Sequence, residues 1–173
     1  TIHPTPEVAL TASVNGGCSP LEVTFHNDTP YADSYTWYYG TGAVSHTSNA
    51  DHDYTFVNNG SDLEEFNVVL EAYSAQGCAG QANNASTVDI PLTVTAAPTA
   101  GSLSGTQGIC VGGTTSFSST VAGGSWGSNN TGVATINAST GAISGIAAGT
   151  ATMTYTVTGT GGCANATSTR TVT

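Results

Sequence analysis

Strand-length runs in which alternate residues are apolar recur along this chain, and no run holds the 3.6-residue period of an amphipathic helix long enough to compete. The clearest is Phe66–Ser74, where Phe66, Val68, Leu70 and Ala72 alternate with Asn67, Val69, Glu71 and Tyr73. Period 2 turns the first set toward a core and the second away from it. Thr150–Thr158 repeats the pattern, with Ala151, Met153, Tyr155 and Val157 set against threonines. Clusters of Gly, Asn, Asp and Pro punctuate the runs. They predict strands over Val8–Ser13, Leu21–His26, Tyr35–Tyr39, Tyr54–Val57, Phe66–Ser74 and Val88–Thr95. Further strands are expected over Thr114–Ser119, Gly124–Gly127, Val133–Ile136, Ala142–Ile146, Thr150–Thr158 and Ala166–Val172. The predicted class is all-β, and six or seven short strands per roughly 80–95 residues indicate β-sandwiches.

Charge narrows the function. Of 173 residues, eleven are acidic and one is basic, Arg170, for a net charge of −10. The lack of lysine excludes a lysine Schiff base, a phosphate-loop lysine and a lysine isopeptide cross-link. One cation cannot neutralise a row of phosphates, so no nucleic-acid partner is expected. No run approaches the ~20 apolar residues that cross a bilayer, so membrane insertion is not expected. Thr1-Ile2-His3-Pro4 has no basic or apolar signal region and does not begin with Met, which reads as a mature or excised piece of a longer precursor.

The charges also divide the chain. All eleven acids lie between Glu7 and Asp89, and beyond Ile90 only Arg170 is charged. The small-residue stretch Thr95–Gly101, with Pro98, reads as a linker. Two domains are therefore predicted, 1–97 and 98–173, carrying −11 and +1. Each has two cysteines: Cys18 and Cys78, then Cys110 and Cys163. With no CxxC pair, zinc is not indicated, and separations of 60 and 53 residues suit disulfides of an exported protein. Four cysteines allow three pairings. Their similar positions near the ends of each half favour Cys18–Cys78 and Cys110–Cys163, each contributing about 4 kcal/mol by loop entropy.

Specific motifs then bring resemblances. Pro20-Leu21-Glu22-Val23-Thr24-Phe25, Tyr35-Thr36-Trp37-Tyr38-Tyr39-Gly40-Thr41-Gly42, His52-Asp53-Tyr54 and Phe66-Asn67-Val68-Val69-Leu70 span nearly the whole first half. They resemble the PKD domain, an Ig-like module of bacterial secreted proteins named from polycystic kidney disease protein. Gly17-Cys18 and Gly77-Cys78 resemble its disulfide-bearing subgroup, whereas Tyr38 and Thr41 stand where the family carries two acids. The second half, through Trp126-Gly127-Ser128-Asn129-Asn130-Thr131-Gly132-Val133-Ala134-Thr135-Ile136 and Gly141–Ala151, resembles the bacterial Ig-like group 2 domain of surface adhesins. The resemblances imply two Ig-like β-sandwiches in tandem, in an extracellular, multi-domain and non-catalytic architecture. They also imply that Tyr35, Trp37 and Tyr39 belong to the core and that His52 packs and turns the chain rather than catalysing.

Candidate sites are few. No Gly-x-Ser-x-Gly elbow or His-Glu-x-x-His motif occurs, and no enzyme activity or cofactor is expected. Asp51 and Asp53, with Asp28 and Asp33, could offer oxygens to calcium, but a solvated acidic loop is the preferred reading and no metal site is assigned. Trp126 is expected in the core. Tyr31, Tyr38 and Tyr73 are expected outside, where a ring with one wet end can stack on a sugar. Asn27, Asn59, Asn84, Asn129, Asn137 and Asn165 each precede x-Ser/Thr and are candidate glycosylation positions.

The reading is a structural or adhesive segment of a bacterial cell-surface protein or extracellular filament. Its expected partners are neighbouring Ig-like domains or identical subunits end to end, and glycans. The alternative is a carbohydrate-binding or spacer module of a secreted hydrolase. The alternation of Thr167–Thr173 up to the last residue predicts an open strand end that pairs with a neighbouring chain or domain.

Overall fold

A computed structural model describes residues 4–40, 43–46, 49–75 and 86–173. Among these residues every regular element is a strand. The chain forms two compact units, Thr1–Ala96 and Ala97–Thr173.

The first unit contains β1 (Leu10–Ala12), β2 (Gly16–Cys18), β3 (Leu21–Asn27), β4 (Ser34–Tyr39), β5 (Ala43–His46), β6 (His52–Phe56), β7 (Leu63–Tyr73) and β8 (Ser86–Thr95). One sheet runs β1-β3-β6 and the other β2-β8-β7-β4-β5. All pairs are antiparallel except β2 with β8. Alternation makes the sandwich: Val68, Leu70 and Ala72 of β7 face Tyr35, Trp37 and Tyr39 of β4 in register, and all six are buried. Phe25 and Phe56 supply the opposing layer, with the Phe25 ring 5.8 Å from Trp37 and 6.3 Å from Phe56. Such aromatic pairs contribute about 0.5–1.5 kcal/mol beyond the area they bury. His52 packs 5.7 Å from Tyr39, consistent with the packing role expected of it.

Two strands went unpredicted in this half. Gly16-Gly17-Cys18 carries no apolar alternation, and β2 exists through its parallel pairing with Thr93–Thr95. β5 lies beside β4 just past the Gly40 turn. Between β6 and β7, the buried Asn58 ties the loop down. Its Nδ2 donates to the Asp62 and Val94 carbonyls, both at 2.7 Å, and its Oδ1 accepts from Gly60 N at 2.8 Å.

The second unit contains β9 (Leu103–Ser104), β10 (Thr114–Ser116), β11 (Ser118–Ser119), β12 (Ser125–Ser128), β13 (Ala134–Ile136), β14 (Ala142–Gly145), β15 (Ala151–Val157) and β16 (Ala166–Val172). The sheets are β10-β14-β13, β12-β15-β16 and the pair β11-β9. Phe117, Trp126, Ile143, Met153, Tyr155 and Val172 form the core, so Trp126 is where it was expected. The predicted strand Thr114–Ser119 is broken at Phe117, whose N–H donates to the Gly141 carbonyl instead. Gly141 has φ +73, and a Cβ there would lie 2.2 Å from the Phe117 carbonyl oxygen. Only glycine fits.

Arg170 is a structural side chain. Its Nη1 and Nη2 donate to the Leu103 and Gly105 carbonyls at 3.3 and 2.8 Å, and its guanidinium lies 5.4 Å from the Phe117 ring centroid. The expectation of an open end after β16 is corrected. Thr173 N donates to the Gln107 carbonyl, and the Thr173 carbonyl accepts from Ile109 N.

The cysteine expectation also changes. Cys18 and Cys163 are disulfide-bonded, whereas Cys110 is an exposed free thiol, so the expected Cys110–Cys163 pair is not formed. The reason is the β15–β16 hairpin. Cys163 lies in its turn, while Ile109 holds Cys110 near Thr173 at the far end of β16. Seven strand residues at ~3.3 Å put the two roughly 20 Å apart, against the ~4.4–6.8 Å between Cα atoms that a disulfide spans. The Cys18–Cys78 pairing involves Cys78, which lies outside the described residues.

Candidate surface site on the first unit

The outer face of the five-stranded sheet carries an organised cluster of half-buried functional groups. On β4, Ser34, Thr36 and Tyr38 face away from the core; on β7, Asn67, Val69, Glu71 and Tyr73 do the same. Register places Tyr38 opposite Val69, Thr36 opposite Glu71 and Ser34 opposite Tyr73, while Asp89 of β8 lies on the other side of Val69. Directly opposed residues are about 4.5–5.5 Å apart and diagonal ones about 7–8 Å. Tyrosine and glutamate side chains reach across both distances. Tyr38 and Tyr73 accordingly donate their hydroxyls to the same Glu71 Oε2, at 3.1 and 2.6 Å.

The shared carboxylate raises both phenols. For Tyr38 the hydrogen bond to Glu71 leads, with burial and the Glu71 charge behind it. Tyr73 is pushed up to about 12, again first by the Glu71 hydrogen bond and then by burial. A carboxylate that accepts a phenol's proton stabilises the neutral ring. Tyr38, Gly40, Asn67, Val69 and Glu71 line a shallow open depression.

Tyr31 was grouped with these tyrosines, but it belongs to the β3–β4 turn. It is 66% exposed and has φ 60 at the position after Pro30. That left-handed backbone favours glycine, so holding tyrosine there costs about 1 kcal/mol or more. The turn is braced by Asn27, whose Oδ1 accepts from Thr29 N and Oγ1.

That bracing corrects one candidate glycosylation position. Asn27 is 3% exposed and its amide nitrogen is buried, so it does not present an acceptor. Asn59, Asn129, Asn137 and Asn165 are exposed. Asn84 lies outside the described residues.

Asp28, Asp33, Asp51 and Asp53 are all solvent-exposed, and three of them make local hydrogen bonds. Asp51 Oδ2 meets His26 Nδ1 at 2.7 Å, Asp53 Oδ1 accepts from Thr24 Oγ1 at 2.7 Å, and Asp33 Oδ2 accepts from Ala75 N at 2.6 Å. The His26–Asp51 pair is solvent-exposed, and such pairs contribute only about 0–1 kcal/mol. Among the described residues, no group of three or more His, Cys, Asp or Glu side chains is placed to hold a metal ion. In the second unit, Ile109, Val111, Val133 and Val172 line an apolar hollow of about 200 Å³. That is below the ~300–1,000 Å³ of small-molecule sites. Among the described residues no helix is long and apolar enough to cross a membrane.

Sequence reasoning named Tyr38 and Tyr73 but missed Glu71 as their link, because the link depends on the β4–β7 register. The only available signal was the outward alternation of Glu71 with Tyr73.

No family model matches the chain, and no curated protein matches it by sequence. Among solved structures it is similar to the C-terminal 282-residue fragment of intimin, in complex with the intimin-binding domain of the translocated intimin receptor, Tir. The identity is 14%, the TM-score 0.48, and the match covers 95% of this chain. The chain spans 63% of that intimin fragment. It is also similar to murine CEACAM1b, at 11% identity and TM-score 0.36, over 96% of this chain and 99% of the other.

Proposed function

We propose that this chain is a non-catalytic structural and adhesive segment of an extracellular cell-surface protein or filament, made of a PKD-like unit followed by a bacterial Ig-like group 2 unit. The observation that carries this reading is the presence of two all-β units in series in one chain. Disulfide bonding at Cys18 and Cys163 supports an oxidising, extracellular setting. Its partners on this reading are neighbouring Ig-like domains, identical subunits and surface ligands. No step of chemistry is assigned to it.

Single-molecule pulling on the chain tests the structural role, and a chain-coated bead assay on cell and matrix surfaces tests adhesion. Two separate unfolding events and bead capture are the expected results. A single unfolding event at negligible force, together with no capture, would remove the proposal. The exposed Tyr31 and the half-buried Tyr38 and Tyr73 favour a second reading, a carbohydrate-binding or spacer module of a secreted hydrolase. Retention of the chain on an insoluble polysaccharide would mark that reading.

A further inference from the structure

We propose that the outer face of the five-stranded sheet docks a cationic segment of a partner protein, seating an Arg or Lys side chain over Val69 between the Tyr38 ring and the carboxylates of Glu71 and Asp89. The proposal rests on the adhesive reading and adds the partner's chemistry to it.

Three features point to that occupant. First, the receiving groups are held in place before any ligand arrives. Tyr38 and Tyr73 converge on Glu71 Oε2, and prior fixing of side chains lowers the ordering cost of binding. Second, the face offers an aromatic ring beside carboxylates. A guanidinium stacks on the former and hydrogen-bonds in parallel to the latter. Third, the charge is uncompensated. The first unit holds all eleven carboxylates and no Lys or Arg, so its field attracts cations and repels anionic glycans or nucleic acids. A neutral sugar gains nothing from that field.

A second copy of this chain is a poor occupant. Its one cation, Arg170, is already bound to the Leu103 and Gly105 carbonyls. The partner is therefore a different, basic polypeptide surface.

The test uses the full chain and an amidated Gly-Arg-Gly-Arg-Gly-Arg-Gly peptide, followed by calorimetry at low and high salt. Binding is expected at low salt and should weaken as salt rises. Glu71→Gln should weaken it at least about tenfold, and Asp89→Asn, which breaks no side-chain hydrogen bond among the described residues, should weaken it similarly. Glu22→Gln, an equal charge change on the opposite sheet, should alter it less than about twofold. Equal losses for Glu71→Gln and Glu22→Gln would overturn the site in favour of a diffuse field. So would failure of the peptide to bind, or Tyr38-dependent binding of a neutral oligosaccharide in its place. Retained bead adhesion without peptide binding removes this site alone and leaves the adhesive reading standing.

Discussion

Replacing Asn58 by alanine should unfold the first unit far more readily than its surface area suggests. The side chain is only 7% exposed and makes three hydrogen bonds: to the Asp62 carbonyl, to the Val94 carbonyl and from Gly60 N. At about 1 kcal/mol net for each, their loss costs about 3 kcal/mol, and the buried Val94 acceptor, if left unsatisfied, adds about 1–3 kcal/mol. In a domain of this size each kcal/mol lowers the melting temperature by roughly 4–8 °C, so a fall of at least ~12 °C is expected. The chain has two tryptophans, Trp37 in the first unit and Trp126 in the second. Fluorescence melts in a Trp126→Phe background therefore report on the first unit alone. Asn59→Ala, at the exposed neighbouring position, is the control and should be nearly neutral. A loss below about 1 kcal/mol for Asn58→Ala, or equal losses for both variants, would show that the loop is not fastened through this side chain.

Gly141→Ala should cost the second unit about 2–3 kcal/mol, because its Cβ meets the Phe117 carbonyl at a positive φ. Gly127→Ala, with nothing within 4 Å of its Cβ, should be mild, and Trp126 fluorescence separates the two cases. The Tyr73–Glu71 bond stabilises the fold through a phenol raised from 10.0 to about 12. Its contribution is whole below pH 10 and fades as pH climbs toward 12. Tyrosinate absorbance should show this late titration and should show it earlier in Glu71→Gln. Alkylation without reductant, followed by peptide mapping, should label Cys110 and spare Cys18 and Cys163. Labelled Cys163 would contradict the bonding described.

Long alternating segments were legible because burial on one face writes itself into period 2. Phe66–Ser74 overlaps β7 as far as Tyr73, and Ala166–Val172 matches β16. Short elements were not. Gly16–Cys18 is a strand only because β8 is beside it, and Phe117 interrupts its run because Gly141 claims its N–H. Core aromatics were readable, but the Glu71 link was not, since cross-strand register is a tertiary property. The Cys110–Cys163 pairing failed for a similar reason. Equal sequence spacing cannot say that a hairpin carries Cys163 to the opposite end of β16 from Cys110. Asn27 fits a sequence rule for sugar attachment, yet it is consumed by a turn.

The role of Arg170 has a practical consequence for proteolysis. Trypsin cuts after Lys or Arg, and this chain offers it one such residue. That residue sits in β16, paired with Met153 of β15, with its side chain bound to two carbonyls. A protease needs the strand peeled away and extended before it can cut. Where opening and reclosing outpace cutting, cleavage follows the population of the opened form. Trypsin thus becomes a clock for the second unit, recording how often its last strand leaves the sheet. On a surface exposed to foreign proteases, the same arrangement lets the fold itself withhold the only scissile bond.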